Sequence, residues 1–374
     1  MSKGSFDMKK SAVFFVSALL AVISLFTTTQ AATVLPAPVA WPALENTYTI
    51  PNFKFDDGET LPELRIHYYT LGTLRTDASG HSNAVLIMHG TGGSGKQFLT
   101  PPERFAGVLF SPGGLLDANK YFIILPDDIG HGQSSKPSDG LRAKFPHYDY
   151  HDMVIAEHAL VSDGLHVNHL RLVMGTSMGC MHSWMWGEAY PAMMDALMPL
   201  ACLPIEISGR NRVWRDMEMD LITSSPDYNN GDYTTQPSGL KAVNDITWFV
   251  GSAPLYDQSI MPTRDAADTY FKSRLSQVPA GLDANDELYQ VASSRDYNPE
   301  ALLGSIQATV MAVNSADDQI NPPELHIVER EIGKVKHAKF VLLPITSQTR
   351  GHGTHTLPLV WQKYLAQLLT QTAY

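Results

Sequence analysis

Leu170-Arg-Leu-Val-Met-Gly-Thr-Ser-Met-Gly-Cys180 joins a short apolar run to a Gly-x-Ser-x-Gly turn and then to a segment of helical character. Strand, tight turn carrying a serine, then helix is the layout of a nucleophile elbow. Gly175 and Gly179 stand two residues to either side of Ser177, where a side chain would crowd a strained turn. In a chain with 27 glycines such a five-residue match carries little weight alone. Its weight depends on whether the chain also supplies a base, an acid and donors for an oxyanion.

A serine hydroxyl is a poor nucleophile until a base removes its proton, so Ser177 needs a histidine, and the histidine needs an acid to orient it. Where the elbow occurs, the partners follow in the order Ser, Asp or Glu, His, on loops after late strands. Here an apolar run at 308–313 is followed by Asn314-Ser-Ala-Asp317-Asp318-Gln-Ile-Asn-Pro322-Pro323. Another, ending at Leu343, is followed by Ser347-Gln-Thr-Arg350-Gly351-His352-Gly353-Thr354-His355. From the residues alone the acid is Asp317 or Asp318 and the base His352 or His355. His89-Gly90-Thr91-Gly92-Gly93 follows the run at 84–88, where a glycine-rich turn offers backbone N–H groups. The N–H groups of Thr91 and Met178 are the candidate oxyanion donors.

Outward from the elbow, the chain shows strands at 48–55 and 64–69, with Asp56-Asp57-Gly58 as the turn between them. Short, nearly continuous apolar runs follow at 84–88, 121–125, 170–174, 196–201, 308–313 and 340–343. Helical stretches at 152–164, 180–190 and 358–370 lie among them. This rhythm predicts an α/β fold with a mostly parallel central sheet covered by helices on both faces. Between about 204 and 303 the strand rhythm stops and helical pieces appear at 213–223, 263–277 and 285–293, the size of a lid. The expected organisation is a first core part over 48–203, a helical lid over 204–303 and a second core part over 304–374 that carries the acid and base.

Residues 1–31 read as an export signal. Lys9 and Lys10 precede an uncharged apolar run from 11 to 26, and Thr29-Gln30-Ala31 offers small residues for cleavage. The expected mature protein is periplasmic or secreted, with no membrane span left after cleavage. Residues 32–47 form a proline-rich lead-in. The net charge of −11 and the lack of a basic run exclude nucleic acid as an expected partner. The two cysteines, Cys180 and Cys202, either pair across the sheet edge or remain buried thiols.

Two competing motifs fall short. Gly90-Thr-Gly-Gly-Ser-Gly95-Lys96-Gln97 matches a phosphate-binding loop until Gln97, which stands where a Mg²⁺-binding hydroxyl is needed. His352-x-x-His355 and His147-Tyr-Asp-Tyr-His151-Asp152 lack the helical His pair with a glutamate base. No metal or cofactor is expected, and the histidines read as loop-ordering groups.

Taken together, these residues resemble the α/β-hydrolase superfamily, and within it the homoserine O-acetyltransferase-like branch. The likeness runs along most of the chain after Tyr48. Tyr69-Thr-Leu-Gly-Thr-Leu-Arg-Thr-Asp-Ala and Asn83-Ala-Val-Leu-Ile-Met-His89 resemble the branch's entry strands and oxyanion turn. Pro126-Asp127-Asp-Ile-Gly130-His131-Gly132-Gln-Ser134 resembles the superfamily's D-x-x-G-x-G-x-S turn, and Gly175-Thr-Ser-Met-Gly-Cys-Met181 the branch's G-G-S-M-G-G-M. Ser225-Pro-Asp-Tyr-Asn-Asn-Gly-Asp-Tyr233 is similar to its D-P-x-W-x-x-G-x-Y. The branch's D-x-x-x-P and G-H-D turns fall on Asp318 with Pro322 and on His352, so the resemblance selects these two over their neighbours. Departures are Cys180 for a glycine, Gly353 for the aspartate after the histidine, and Met219 where the branch carries a carboxylate-holding arginine, with Arg212 and Arg215 nearby. The resemblance implies the fold and the triad Ser177, His352 and Asp318.

The expected function is an exported serine hydrolase acting on a small ester or acyl substrate through an acyl-enzyme. Acyl transfer to an alcohol or amine on the same triad is the alternative. A non-catalytic binding protein on this scaffold is the reading from another class, and the intact Ser, Asp, His order argues against it.

Overall fold

The computed structural model describes residues 42–373. The expected signal segment and residues 32–41 of the lead-in lie outside the described residues. Eight strands form one sheet: β1 (Leu44–Lys54), β2 (Thr60–Leu71), β3 (Ala84–Met88), β4 (Phe122–Pro126), β5 (Leu172–Thr176), β6 (Ala196–Leu200), β7 (Thr309–Ser315) and β8 (Ala338–Leu343). Their spatial order is β1-β2-β4-β3-β5-β6-β7-β8. The pairs β1/β2 and β2/β4 are antiparallel and the others parallel. The elbow strand β5 thus lies near the middle, between β3 and β6.

All residues of β3, β5 and β6 are buried, as continuous apolar runs covered on both faces require. The two-residue side-chain period divides them between two cores. Leu86, Met88 and Val173 join the cluster that includes α2 (Tyr150–Ala159) and α3 (Met178–Ala189). Val85, Ile87, Leu172 and Met174 join the opposite cluster, with α1 (Phe105–Leu109) and α10 (Pro358–Gln371). The short α9 (Ile327–Glu331) lies between β7 and β8.

Several element boundaries shift. β1 begins at Leu44, inside the stretch read as lead-in, because its first residues pair with the far end of β2, Leu44 opposite Thr70. α2 starts at Tyr150, two residues before the expected start. Asp149 and Asp152 cap it reciprocally, each side chain accepting the other's backbone N–H. It ends at Ala159 and runs into one wide turn, Leu160–Gly164.

Five helices lie between β6 and β7: α4 (Gly209–Thr223), α5 (Gly239–Gly251), α6 (Pro254–Ile260), α7 (Arg264–Tyr270) and α8 (Ala284–Ala292). α5 and α6 were not apparent from the sequence. α5 carries Val243, Ile246, Thr247, Trp248, Phe249 and Val250, which are weak helix formers. Packing overrides that preference, because Leu240 and Val243 are buried in a third cluster with Ile222 of α4 and Ala284 of α8. No helix among the described residues is long and apolar enough to cross a membrane.

Candidate active site

β5 ends at Thr176 and α3 begins at Met178, which leaves Ser177 alone in the turn at φ 55° and ψ −107°. A non-glycine residue held there stores roughly 1–3 kcal/mol of strain, so the surroundings must fix it. The Ser177 N–H donates to the Leu200 carbonyl at 2.9 Å, and the Gly179 N–H to that of His89 at 2.8 Å. The flanking glycines are needed for space. A Cβ on Gly175 would lie 2.0 Å from the Gly179 carbonyl oxygen, and one on Gly179 would lie 2.3 Å from that of Met88.

The loops after β7 and β8 bring an acid and a base to this serine. His352 Nε2 lies 2.9 Å from Ser177 Oγ, and His352 Nδ1 lies 2.9 Å from Asp318 Oδ2. The other Asp318 oxygen accepts the N–H groups of Ile320 at 2.8 Å and Asn321 at 3.1 Å. Burial opposes ionisation of Asp318. The adjacent His352 and these N–H groups outweigh it and hold the carboxyl below its usual range. Asn321 also donates from its side chain to the Ala201 carbonyl, tying the acid loop to the end of β6.

The neighbours of these residues face elsewhere. Asp317 accepts the Ser315 hydroxyl. His355 meets His352 edge to face at 5.0 Å, and burial and His352 push its pKa down to about 3. Its carbonyl accepts the Trp361 indole N–H at 3.0 Å. The other histidine group also disperses: His147 stacks on Tyr289, and His151 pairs with Asp56 at 2.7 Å.

The glycine turn after β3 lies against the elbow, since a Cβ on Gly90 would come 3.1 Å from Ser177 Cβ. No backbone carbonyl among the described residues takes the N–H of Thr91 or Met178. A buried network fixes the turn from behind. His89 Nε2 accepts the Asp128 N–H at 3.1 Å, so its proton sits on Nδ1, which donates to the Gly90 carbonyl at 2.8 Å. In the stretch that resembles a phosphate loop, the Gly95 N–H donates to the Asp127 carboxylate at 2.7 Å, and Gln97 reaches toward Thr176. A carboxylate of the protein itself therefore fills part of that glycine cradle.

Cys180 and Cys202 are joined in a disulfide with 22 residues of separation. It clamps the first turn of α3 to the residues after β6, where Ala201 meets the acid loop. A link closing a loop of this size contributes about 3 kcal/mol by restricting the unfolded chain.

A cavity of about 430 Å³ opens over Ser177 and His352. Its wall includes Thr91 and Gly92 from the glycine turn, Trp214, Arg215 and Glu218 from α4, Thr247 from α5 and Glu287 from α8. Arg215 reaches this wall, whereas Arg212 pairs with Asp216 at 2.7 Å. Glu218 and Glu287 were missed in the sequence because they sit in different helices 69 residues apart, and each reads as an ordinary helical surface residue. Burial pushes Glu218 up to about 7. Burial, Glu218 and the nearby Asp286 and Asp283 push Glu287 up to about 8.

An eight-stranded, mostly parallel sheet with a serine turn at the end of its central strand defines an α/β-hydrolase enzyme. Residues 83–344 match the family model for the alpha/beta hydrolase fold, and the chain belongs to that family. Within it the chain is similar to homoserine O-acetyltransferases and related acyltransferases. It is 26% identical over 283 residues to a probable acyltransferase of Methanothermobacter thermautotrophicus, covering 75% of this chain and 85% of that one. It is also 26% identical over 312 residues to a homoserine O-acetyltransferase of Leifsonia xyli subsp. xyli, covering 72% and 75%. Among solved structures, an acetylester hydrolase from Corynebacterium glutamicum shares the fold with a TM-score of 0.73 at 19% identity. That match covers 88% of this chain and 95% of the other.

Proposed function

We propose that the protein is a serine-dependent acyltransferase that carries its acyl group on Ser177 and passes it to a hydroxyl or amine held in the cavity. The observation that carries the acyl-enzyme is the continuous chain from Ser177 through His352 to Asp318, two contacts of 2.9 Å at the cavity floor. Its steps follow from the geometry. His352 Nε2 takes the proton of Ser177 as Oγ attacks the acyl carbon, and the N–H groups of Thr91 and Met178 donate to the oxyanion. The intermediate collapses, His352 protonates the leaving group, and an acyl-serine remains. The acceptor then loses its proton to His352 and attacks the acyl carbon, and Ser177 Oγ takes the proton back. Asp318 holds the imidazole in the required tautomer and stabilises its charged form.

Sequence alone put water first as acceptor. Relatives named as acyltransferases support an organic acceptor instead, with Met219 and Gly353 arguing against homoserine itself. Hydrolysis is the second reading, favoured by the likeness to an acetylester hydrolase, and it uses the same acyl-enzyme. Product analysis separates them. With p-nitrophenyl acetate and an added primary alcohol, transfer predicts an alkyl acetate yield that far exceeds the alcohol-to-water ratio. A yield no greater than that ratio assigns the enzyme to hydrolysis.

We also propose that residues 1–31 direct export, which the Cys180–Cys202 disulfide supports, because such bonds persist in oxidising compartments. Mass analysis of the exported protein should find a new N-terminus near Ala32, and an intact Met1 would refute cleavage there.

A further inference from the structure

The wall above Ser177 carries one guanidinium and two carboxyls, and they are not equally free. Arg215 is committed within the protein. Its Nε donates to Asn211 at 3.1 Å, its Nη1 to Ser294 at 3.2 Å, and its guanidinium carbon lies 4.7 Å from the centre of the Trp214 ring. Only 2% of Arg215 is exposed. Glu218, equally buried, accepts the Thr247 hydroxyl and has Arg215 alongside.

Glu287 has no such support. Among the described residues its carboxylate accepts no hydrogen bond and meets no cation, and every group acting on it (Glu218, Asp286 and Asp283) is another acid. It sits beside the oxyanion turn, where a Cβ on Gly92 would come 4.0 Å from Glu287 Oε1. Glu287 is only partly exposed, and a partly buried carboxyl without a partner is costly to hold ionised. A bound cation with N–H donors removes that penalty and gains a charge-assisted hydrogen bond.

We propose that this cavity recognises a substrate or acceptor bearing an alkylammonium group through Glu287, with Glu218 beside it, and that it disfavours a carboxylate at the same place. The disfavour has two causes: two carboxyls stand against one guanidinium on the wall, and two of the donors of Arg215 already serve Asn211 and Ser294. Glu287 here is a specificity-determining residue. The inference rests on reading the cavity as the acyl-transfer site, but its binding can be measured without turnover.

The test is calorimetric titration of the protein with n-butylammonium chloride, 1-butanol and sodium butyrate. A pH of roughly 9 keeps the amine protonated and both glutamates ionised. The ammonium should bind ~10-fold or more tighter than the alcohol, the range of a charge-assisted contact, and butyrate weakest of all. Glu287→Gln should bring ammonium and alcohol to within about twofold, since the charge-assisted contact is gone. Glu287→Asp, which keeps the charge, should retain part of the preference. Equal binding of ammonium and alcohol, tighter binding of butyrate, or an undiminished preference in Glu287→Gln overturns the proposal. Should Glu287→Gln fail to fold, Glu218→Gln must still lower the preference, and no change there also overturns it. Failure of the acyl-transfer reading would show separately, as no turnover of p-nitrophenyl acetate alongside intact ammonium binding.

Discussion

Ser177→Ala should lower kcat/KM for p-nitrophenyl acetate by ~10⁴ or more, equivalent to about 5.5 kcal/mol of transition-state stabilisation. Alanine removes the one atom, Oγ, that lies 2.9 Å from His352 Nε2 and leaves the elbow backbone in place. The Ser177 N–H still donates to Leu200, so the strained turn keeps its anchor. Thr91 and Met178 would still polarise a bound carbonyl, and a small residual rate is therefore expected. A rapid acyl burst should be present in the parent protein and absent in the variant. Turnover and burst left unchanged would mean that another group carries the acyl chemistry, and the proposed role of Ser177 would fall.

The second large effect separates two adjacent acids. Asp318→Asn should lower kcat by ~10³ to 10⁴, whereas Asp317→Asn should stay within about threefold of the parent. The difference follows from where each carboxylate points. Asp318 accepts from His352 Nδ1 at 2.9 Å, and an asparagine amide there can present N–H and reverse the tautomer. Nε2 would then carry a proton and could not take another from Ser177. The Asp317 carboxylate instead accepts the Ser315 hydroxyl and makes no hydrogen bond to His352 or Ser177. Equal losses in the two variants, or a larger loss for Asp317→Asn, would reverse the assignment.

Acid titration gives an independent reading of the same residue. The folded-state pKa of Asp318 is depressed, so its contribution to stability is fully present above the unfolded carboxyl range. It is lost as pH falls through the folded value. The melting-temperature gap between the parent and Asp318→Asn should therefore be constant near neutrality and shrink below roughly pH 4. A gap that does not change with pH would mean that this carboxyl is not held in its charged form.

Much of the fold was legible because it is written in local patterns. Continuous apolar runs such as Ala84–Met88 can be buried on both faces only in a parallel sheet, and their two-residue period assigns Val85 and Leu86 to opposite cores. The elbow was legible for a similar reason. The glycines at 175 and 179 are required by contacts within the turn and with the adjoining strand β3. α5 was not legible, because its β-branched and aromatic residues weigh against a helix. Only the burial of Leu240 and Val243 against α4 and α8 reverses that balance.

Sequence by itself determined the sheet, the serine turn, and the order in which an acid and a base follow it. The strands and the turn depend on residues close together in the chain, and the order is read directly along it. Tertiary structure decided the choices that depend on direction and distance. It turned Asp318 rather than Asp317 toward His352, and His352 rather than His355 toward Ser177, pairs that the residues by themselves left open and only the family resemblance had separated. It joined Cys180 to Cys202, a pairing that two cysteines in a sequence leave open. It also brought Glu218 and Glu287 from separate helices to one wall of the cavity. The physical reason is that a side chain's chemistry depends on what excludes water from it and what answers its charge. For these residues both come from segments distant in the chain.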